Sequence, residues 1–356
     1  MTNVLFLFED ALRYDAYYGK MMQPLRDFLG PVAEYSNWYS VSNCSDPNTA
    51  SMLTGLYPWE HGVRHMGEVL GGIPTLFDRF RDRGYMTIFS GWGRLKVIRG
   101  MDWHQSLWTP GHIAEARYRI TPNLQAMLCC VSADQPWFAF ARHMWCHAKY
   151  VNKHYADSVA KTAADLIKLI TWVRDLWPDT MVVITADHGE FFDGPKGKYR
   201  GTLDAPATPP NHSWGLFEPL VHVPMVVSYP VGDRRAMVHA KYYQHTDLAD
   251  LLLGKAMLPH DRVLMEGTGV DPKYAAYYHR GVVDKDVKFI LGGKDGVQDP
   301  FLYFPSAEGI DETHNQAQAY PEVVAAMTDW LPPSLTYTPA EEKAVLERLT
   351  TLGYGD

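Results

Sequence analysis

The segment "NVLFLFEDALRYD", residues 3–15, decides how the chain is read. Residues 3–8 form a short, largely apolar run with the length of a buried strand. The run ends at Glu9-Asp10, and carboxylates at the end of a buried strand face a crevice in α/β folds. The pattern returns in "TMVVITADHGE", residues 180–190, where Val182, Val183 and Ile184 make a strand and Asp187-His188 follow at once. Between these two, "GIPTLFDRFRDRGY" reads as a helix stopped by Gly84, and "MTIFS" and "PWFAFARHMW" read as further strands. Residues 154–176 form the clearest helix, with Val159, Ala163, Leu166, Ile170 and Val173 on one face at helical spacing. "VHVPMVVSYP" adds another strand. This alternation predicts an α/β fold with a large, mostly parallel central sheet flanked by helices.

The texture changes after about residue 255. "AAYYHRGVVDKDVKFILGG" and "PFLYFP" look like antiparallel strands, followed by helical patterns at 320–331 and 339–351. The expectation is a catalytic α/β domain over 1–255 and a smaller C-terminal α+β subdomain over 256–356. Residues 193–211, rich in Gly and Pro, read as a long loop between two candidate site segments, of the kind that serves as a lid.

The bulk properties narrow the function classes. The formal charge of the 356 residues is −8, which disfavours a nucleic-acid footprint. It leaves room for a small anionic substrate, because a bound metal supplies local positive charge. The four cysteines (Cys44, Cys129, Cys130 and Cys146) are unevenly spaced and include no CxxC pair, so neither a disulfide framework nor a structural zinc is expected. No apolar run approaches the ~20 residues that span a bilayer. The N-terminus carries no basic region or small-residue cleavage site. These features point to a cytoplasmic protein with no membrane partner, and its oligomeric state is not legible.

Several strand ends carry groups suited to chemistry: Asp10, Ser45 with its neighbours, and Asp187-His188. His143, His147 and His212 stand nearby in sequence or in pattern. Singly, each has a plain structural reading, as a cap, a turn residue or a hydrogen-bonded core histidine. Jointly, two carboxylates, an imidazole and a hydroxyl converging on one sheet edge would hold a divalent metal. Hard oxygen ligands favour Mg²⁺, Ca²⁺ or Mn²⁺, and imidazole shifts the preference toward Mn²⁺ or Zn²⁺. A metal touching a serine oxygen would lower its pKa and make it a usable nucleophile.

At this point the residues resemble the sulfatase-like family of the alkaline phosphatase superfamily, which comprises metal-dependent phospho- and sulfohydrolases. The likeness rests on "NVLFLFEDALRYD", "ASMLTGLYPWEHGV", "ITADHGE", "NHSWGLFEPLVHVPMVV", "QHTDLADLLLG" and "FLYFPSAEGIDETHNQA", in that order along the chain. It implies Asp10, Asp187 and His188 as metal ligands, with Ser45 both ligand and nucleophile. Glu9 would be either a second carboxylate ligand or a strand-end residue. One ion is expected, and a second is open through His143, His147 and His212. In the family the nucleophile lies two residues before a Pro and nine before a Thr-Gly pair. Pro47 and Thr54 therefore point to Ser45, and Cys44 is one residue out of register.

The chain departs from the family in two places. Sulfatases convert a Cys or Ser in a C/S-x-P-x-R pattern to formylglycine. Here "SDPNT" puts Thr49 where the Arg belongs. An unmodified Ser45 fits phosphoryl chemistry, as in the phosphatase and phosphodiesterase branches. In "GYMTIFSGWGRLK", the family's Lys-x-His positions hold Trp92 and Arg94, and Arg94 would bind a substrate oxyanion. "RHMWCHAKY" resembles an H-x-P-Y stretch, with His147 on the His and Tyr150 on the Tyr. His147 and His212 would then bind the oxyanion or protonate the leaving group, and His143 would stand by the substrate.

The leading expectation is a hydrolase of phosphate esters, whether phosphomonoester, phosphodiester or phosphonate ester. The alternatives are a sulfatase working through formylglycine at Ser45 or Cys44, a phosphoryl-group transferase, and a binding protein that kept the scaffold.

Overall fold

The structure is a computed structural model. It describes residues 2–91, 96–106, 113–147, 155–191, 212, 215–230, 237–268, 277–294, 297–306, 309–334, 343–344 and 347. The loop 193–211, Arg94, Tyr150 and most of the helical pattern at 339–351 lie outside these residues.

Strand β1 (Asn3–Glu9) sits inside the molecule, and six of its seven residues are buried. A strand covered on both faces must be apolar throughout, which is why "VLFLF" shows no alternation. The other strands of the main sheet are β2 (Ala33–Tyr39), β3 (Met86–Gly91), β4 (Trp103–Ser106), β5 (Trp137–His143), β6 (Thr180–Thr185), β7 (Met225–Ser228) and β8 (Met237–Gln244). Their order is β4-β3-β5-β1-β6-β7-β2-β8. All pairings are parallel except those of β7 with β6 and β2. The mostly parallel sheet read from the sequence is therefore present.

Register matters more than strand count here. Phe8 lies opposite Arg142 of β5 and Thr185 of β6, and Glu9 lies opposite His143. Three adjacent parallel strands thus end level with one another. Whatever follows them emerges at one rim, the carboxyl edge where open α/β sheets bind ligands. Aromatic packing fixes this trio: Phe140 stacks on Phe6 and Phe8 with ring centroids 4.8 and 5.6 Å away. The helix Tyr155–Leu176 connects β5 to β6 and buries Val159, Ala163, Leu166, Leu169, Ile170 and Val173 against the sheet. Each such Val, Leu or Ile side chain contributes roughly 1.5–3 kcal/mol by leaving water.

A second, antiparallel sheet follows, in the order β12-β11-β10-β9. Its strands are β9 (Arg262–Thr268), β10 (Tyr277–Asp284), β11 (Lys288–Lys294) and β12 (Asp299–Tyr303). The hairpin read from "AAYYHRGVVDKDVKFILGG" corresponds to β10 and β11. This sheet leans on the loops of the large one. Glu266 donates its backbone N–H to Val41 O at 3.0 Å. Lys288, fully buried, bridges Glu218 and Glu312 at 2.8 Å each. Glu218 opens the short helix Glu218–Val221, whose Leu220 carbonyl accepts the N–H of Gly189 at 2.8 Å. The small sheet therefore braces the turn that follows His188.

Breaking one member of a buried ion pair leaves the other charged and unpaired. Lys288→Met is expected to cost about 3–5 kcal/mol of folding stability. Urea unfolding measures it, and an unchanged midpoint would show that this bridge carries no weight.

Candidate active site

The rim is built from the ends of β1, β5 and β6 and from the start of the helix Ser45–Thr54. Asp10 follows β1 directly. The chain then turns through Ala11, which holds a positive φ of 63°. A non-glycine residue resists that conformation, so the surroundings must enforce it. Two bonds do so: Ala11 N–H donates to Asp187 Oδ1 at 3.2 Å, and Tyr155 Oη donates to Ala11 O at 2.9 Å. Asp187 and His188 follow β6, and Ser45 is the first residue of its helix.

Asp10, Asp187 and His188 lie together, with ligand atoms all within 4.8 Å of one another. Ser45 Oγ joins them, 3.5 Å from Asp10 Oδ2 and 3.2 Å from His188 Nε2. Each acidic or imidazole group has one atom tied to the protein and one presented to the centre. Asp10 Oδ2 accepts from Arg142, while its Oδ1 has no hydrogen-bond partner. Asp187 Oδ1 accepts from the N–H groups of Ala11 and His188 at 3.2 and 2.8 Å, while its Oδ2 has none. His188 Nδ1 lies 2.7 Å from Gly189 O, which can only accept. The ring proton is therefore on Nδ1, and the Nε2 lone pair faces the centre. Two orphaned, fully buried carboxylate oxygens beside an unprotonated imidazole nitrogen form the donor set of a divalent cation.

The electrostatics agree with that reading. Burial, reinforced by the charge of Asp10, pushes the Asp187 carboxyl up. Burial also acts on Asp10, but the Arg142 guanidinium overrides it and holds that carboxyl well below the usual range. A single guanidinium offsets one carboxylate of the pair, and a cation is needed for both to ionise. Burial and then the nearby His212 lower His188 to about 4, so this imidazole is neutral.

His147 and His212 flank the centre. The His147 ring lies 5.0 Å from that of His212, and the His212 ring stacks on His188 at 4.2 Å. His212 Nδ1 is 3.3 Å from both carboxylate oxygens of Glu190. Burial alone would lower the His212 pKa, but the Glu190 carboxylate reverses this and raises it. His147, chiefly through burial, falls to about 4. The two neighbouring histidines are thus shifted in opposite directions, His212 upward by Glu190 and His147 downward by burial.

Other residues singled out from the sequence point elsewhere. Glu9 faces the opposite side of the sheet from Asp10, as strand alternation requires. Its Oε1 accepts the Cys146 N–H at 2.8 Å, and burial pushes its carboxyl up to about 8. His143 likewise turns away, with its Nε2 3.2 Å from Thr121 Oγ1 on the helix Ile113–Leu128. Burial lowers it to about 4. Neither belongs to the Asp10–Asp187–His188 group. Cys44 is fully buried 3.7 Å from Ser42 Oγ, and burial holds its thiol far above the usual range.

Two residues at the rim were not picked out from the sequence. Arg142 stands beside His143 at the end of the apolar run of β5, and only its register opposite Phe8 marks it as the member on the side of Asp10. Glu190 closes the quoted "ITADHGE" and pairs with His212.

A large, mostly parallel sheet with a carboxylate–histidine cluster at its carboxyl edge defines an ester hydrolase of the alkaline phosphatase superfamily. The Sulfatase family model matches residues 2–256, and the chain belongs to that family. Divalent metal is typical of its members. No curated protein matches the sequence. Among solved structures, the chain is similar to a phosphonate monoester hydrolase from Silicibacter pomeroyi (16% identity, TM-score 0.71, 93% of this chain and 94% of that one). It is also similar to a phosphonate monoester hydrolase of Agrobacterium radiobacter (15%, TM-score 0.66, 93% and 94%). A 2-O glycosaminoglycan sulfatase aligns with a TM-score of 0.67 at 16% identity, over 92% of this chain and 90% of that one. No described helix is long and apolar enough to cross a membrane.

Glu190→Gln removes the charge that raises His212. The imidazole then loses its proton at lower pH than in the parent protein, because burial is no longer opposed by the Glu190 carboxylate. NMR titration of the His212 ring reads this shift, and coincident curves would separate Glu190 from His212.

Proposed function

We propose that the protein hydrolyses phosphate esters, with Ser45 as the covalent nucleophile and residues 1–255 as the catalytic unit. Asp10, Asp187 and His188 would hold one divalent ion beside Ser45 Oγ. When bound, this ion supplies Lewis-acid charge at the substrate oxygen and lowers the pKa of the serine hydroxyl. Ser45 also sits at the first position of a ten-residue helix, where the backbone N–H groups favour an oxyanion.

The chain's own groups divide the remaining work. Ser45, its hydroxyl proton already lost to solvent as its pKa falls, attacks phosphorus as the alkoxide, forming an oxygen–phosphorus bond as the bond to the leaving alcohol breaks. The His212 imidazolium donates its proton to that departing oxygen, and the Glu190 carboxylate at its Nδ1 holds the ring in place and favours its reprotonation in the second half. Water then attacks the phosphoserine, neutral His212 takes its proton, and Ser45 is released. His147, neutral and beside His212, offers a hydrogen bond to a non-bridging oxygen. Arg94, outside the described residues, is kept as an oxyanion-binding candidate. The substrate is a small anionic ester.

The observation that carries this reading is an ordinary serine at the centre of the cluster with Thr49, and no arginine, one helical turn later. The second reading is hydrolysis of sulfate esters through formylglycine at Ser45 or Cys44. The family match and the likeness to a sulfatase structure favour it.

Ser45→Ala is expected to lower turnover of an aryl phosphate, phosphodiester or phosphonate panel by at least about a thousandfold, the scale of a lost nucleophile. Divalent-ion binding should persist in that variant. Full activity would remove Ser45 from the mechanism. Intact mass separates the two readings: an unmodified chain supports the serine route, and a chain lighter by a pair of hydrogens at Ser45, with sulfate-ester turnover, supports formylglycine. Chelation with EDTA should abolish turnover in either case, with recovery on adding Mn²⁺ or Zn²⁺, whereas activity that survives exhaustive chelation would contradict the metal assignment.

A further inference from the structure

The Arg142 side chain is only 5% exposed and is held on every side. Its guanidinium binds Asp10 Oδ2, lies 3.6 Å from Asp187 Oδ2, and stands over the Phe8 ring at 5.1 Å. Its Nε has no hydrogen-bond partner, so the group is placed by charge rather than by a saturated hydrogen-bond network. Asp46, buried on the helix that begins at Ser45, also acts on it. Its Oδ2 accepts the Gly67 N–H at 2.6 Å. Around the guanidinium, therefore, stand the carboxylates of three separate segments.

We propose that Arg142 is an internal counter-cation that keeps the carboxylate cluster assembled when no ion is bound, and that it competes with the ion for those carboxylates. Buried like charges repel, and neither Asp10 nor Asp187 can turn toward water. A fixed guanidinium bound to Asp10 Oδ2 and 3.6 Å from Asp187 Oδ2 lessens that repulsion while leaving Asp10 Oδ1 and Asp187 Oδ2 without a hydrogen bond. The same charge opposes a divalent ion a few ångströms away. Arg142 is thus a positioning residue: it preforms the site and weakens its grip on the metal. The inference rests on Asp10, Asp187 and His188 being the ligands.

The sign of the effect is distinctive. A residue that merely supported the fold would, when removed, weaken the protein and its metal binding together. Loss of a counter-cation weakens the metal-free protein and tightens metal binding.

The experiment compares the parent protein, Arg142→Gln and Arg142→Lys, each stripped of metal. The Tm is measured without ions, and Mn²⁺ affinity is measured by calorimetry. Arg142→Gln should melt several degrees lower without ions, bind Mn²⁺ at least tenfold more tightly, and gain more Tm on adding Mn²⁺ than the parent does. Arg142→Lys, which keeps the charge, should fall near the parent on both measures. If Arg142→Gln folds only with Mn²⁺, that is the same result in its extreme form. Unchanged or weaker Mn²⁺ binding overturns the proposal, as does a variant that stays unfolded with and without Mn²⁺. A parent protein that binds no Mn²⁺ would instead overturn the ligand assignment beneath it.

Discussion

Two carboxylates with no access to water share one rim of the central sheet, and the surrounding structure follows from holding them there. Left alone, Asp10 and Asp187 would repel and one would take up a proton, which is the direction in which burial and mutual charge drive Asp187. The fold does not relieve the conflict by separating them. It ties one oxygen of Asp10 to Arg142 and one oxygen of Asp187 to two backbone N–H groups, and leaves the other two oxygens bare. The positive φ at Ala11 is part of the same arrangement, because that turn aims its N–H at Asp187. An arrangement that maintains such tension in a folded protein is one suited to a cation.

Strand parity sorts the clustered residues at the rim from their neighbours. Asp10 and Arg142 face the rim, whereas Glu9 and His143 each lie one residue away and face packed helices. Both bystanders are driven to their neutral forms by burial, Glu9 upward and His143 downward. The histidines beyond the sheet divide by a similar logic. The Glu190 carboxylate raises the pKa of His212 against the pull of burial, whereas at His147 and His188 burial outweighs the nearby carboxylates and lowers both to about 4. Of three neighbouring imidazoles, Glu190 therefore sets one apart from the other two.

Much of this was legible in the residues. The runs "VLFLF" and "VVIT" announce buried strands because strands covered on both faces cannot alternate, and the polar residues that end them fall at the carboxyl edge of a parallel sheet. Ser45 was singled out only through the family resemblance, by its distance to Pro47 and Thr54, and its oxygen does lie beside Asp10 and His188. What the residues concealed was orientation. Adjacent pairs such as Glu9-Asp10 and Arg142-His143 are equally polar, and only the register of β1 against β5 decides which member faces the rim. Arg142 was hidden for the same reason, since a lone arginine ending an apolar run looks like a residue reaching solvent. The brace from Lys288 through Glu218 to the turn at Gly189 spans separate sheets, and no local pattern announces it.

The most direct test of the account is anomalous diffraction from crystals of the protein grown with Mn²⁺. One strong anomalous peak within bonding distance of Asp10 Oδ1, Asp187 Oδ2 and His188 Nε2, with Ser45 Oγ at its side, is the expected result. A peak elsewhere, or no peak at that rim at saturating Mn²⁺, would contradict it.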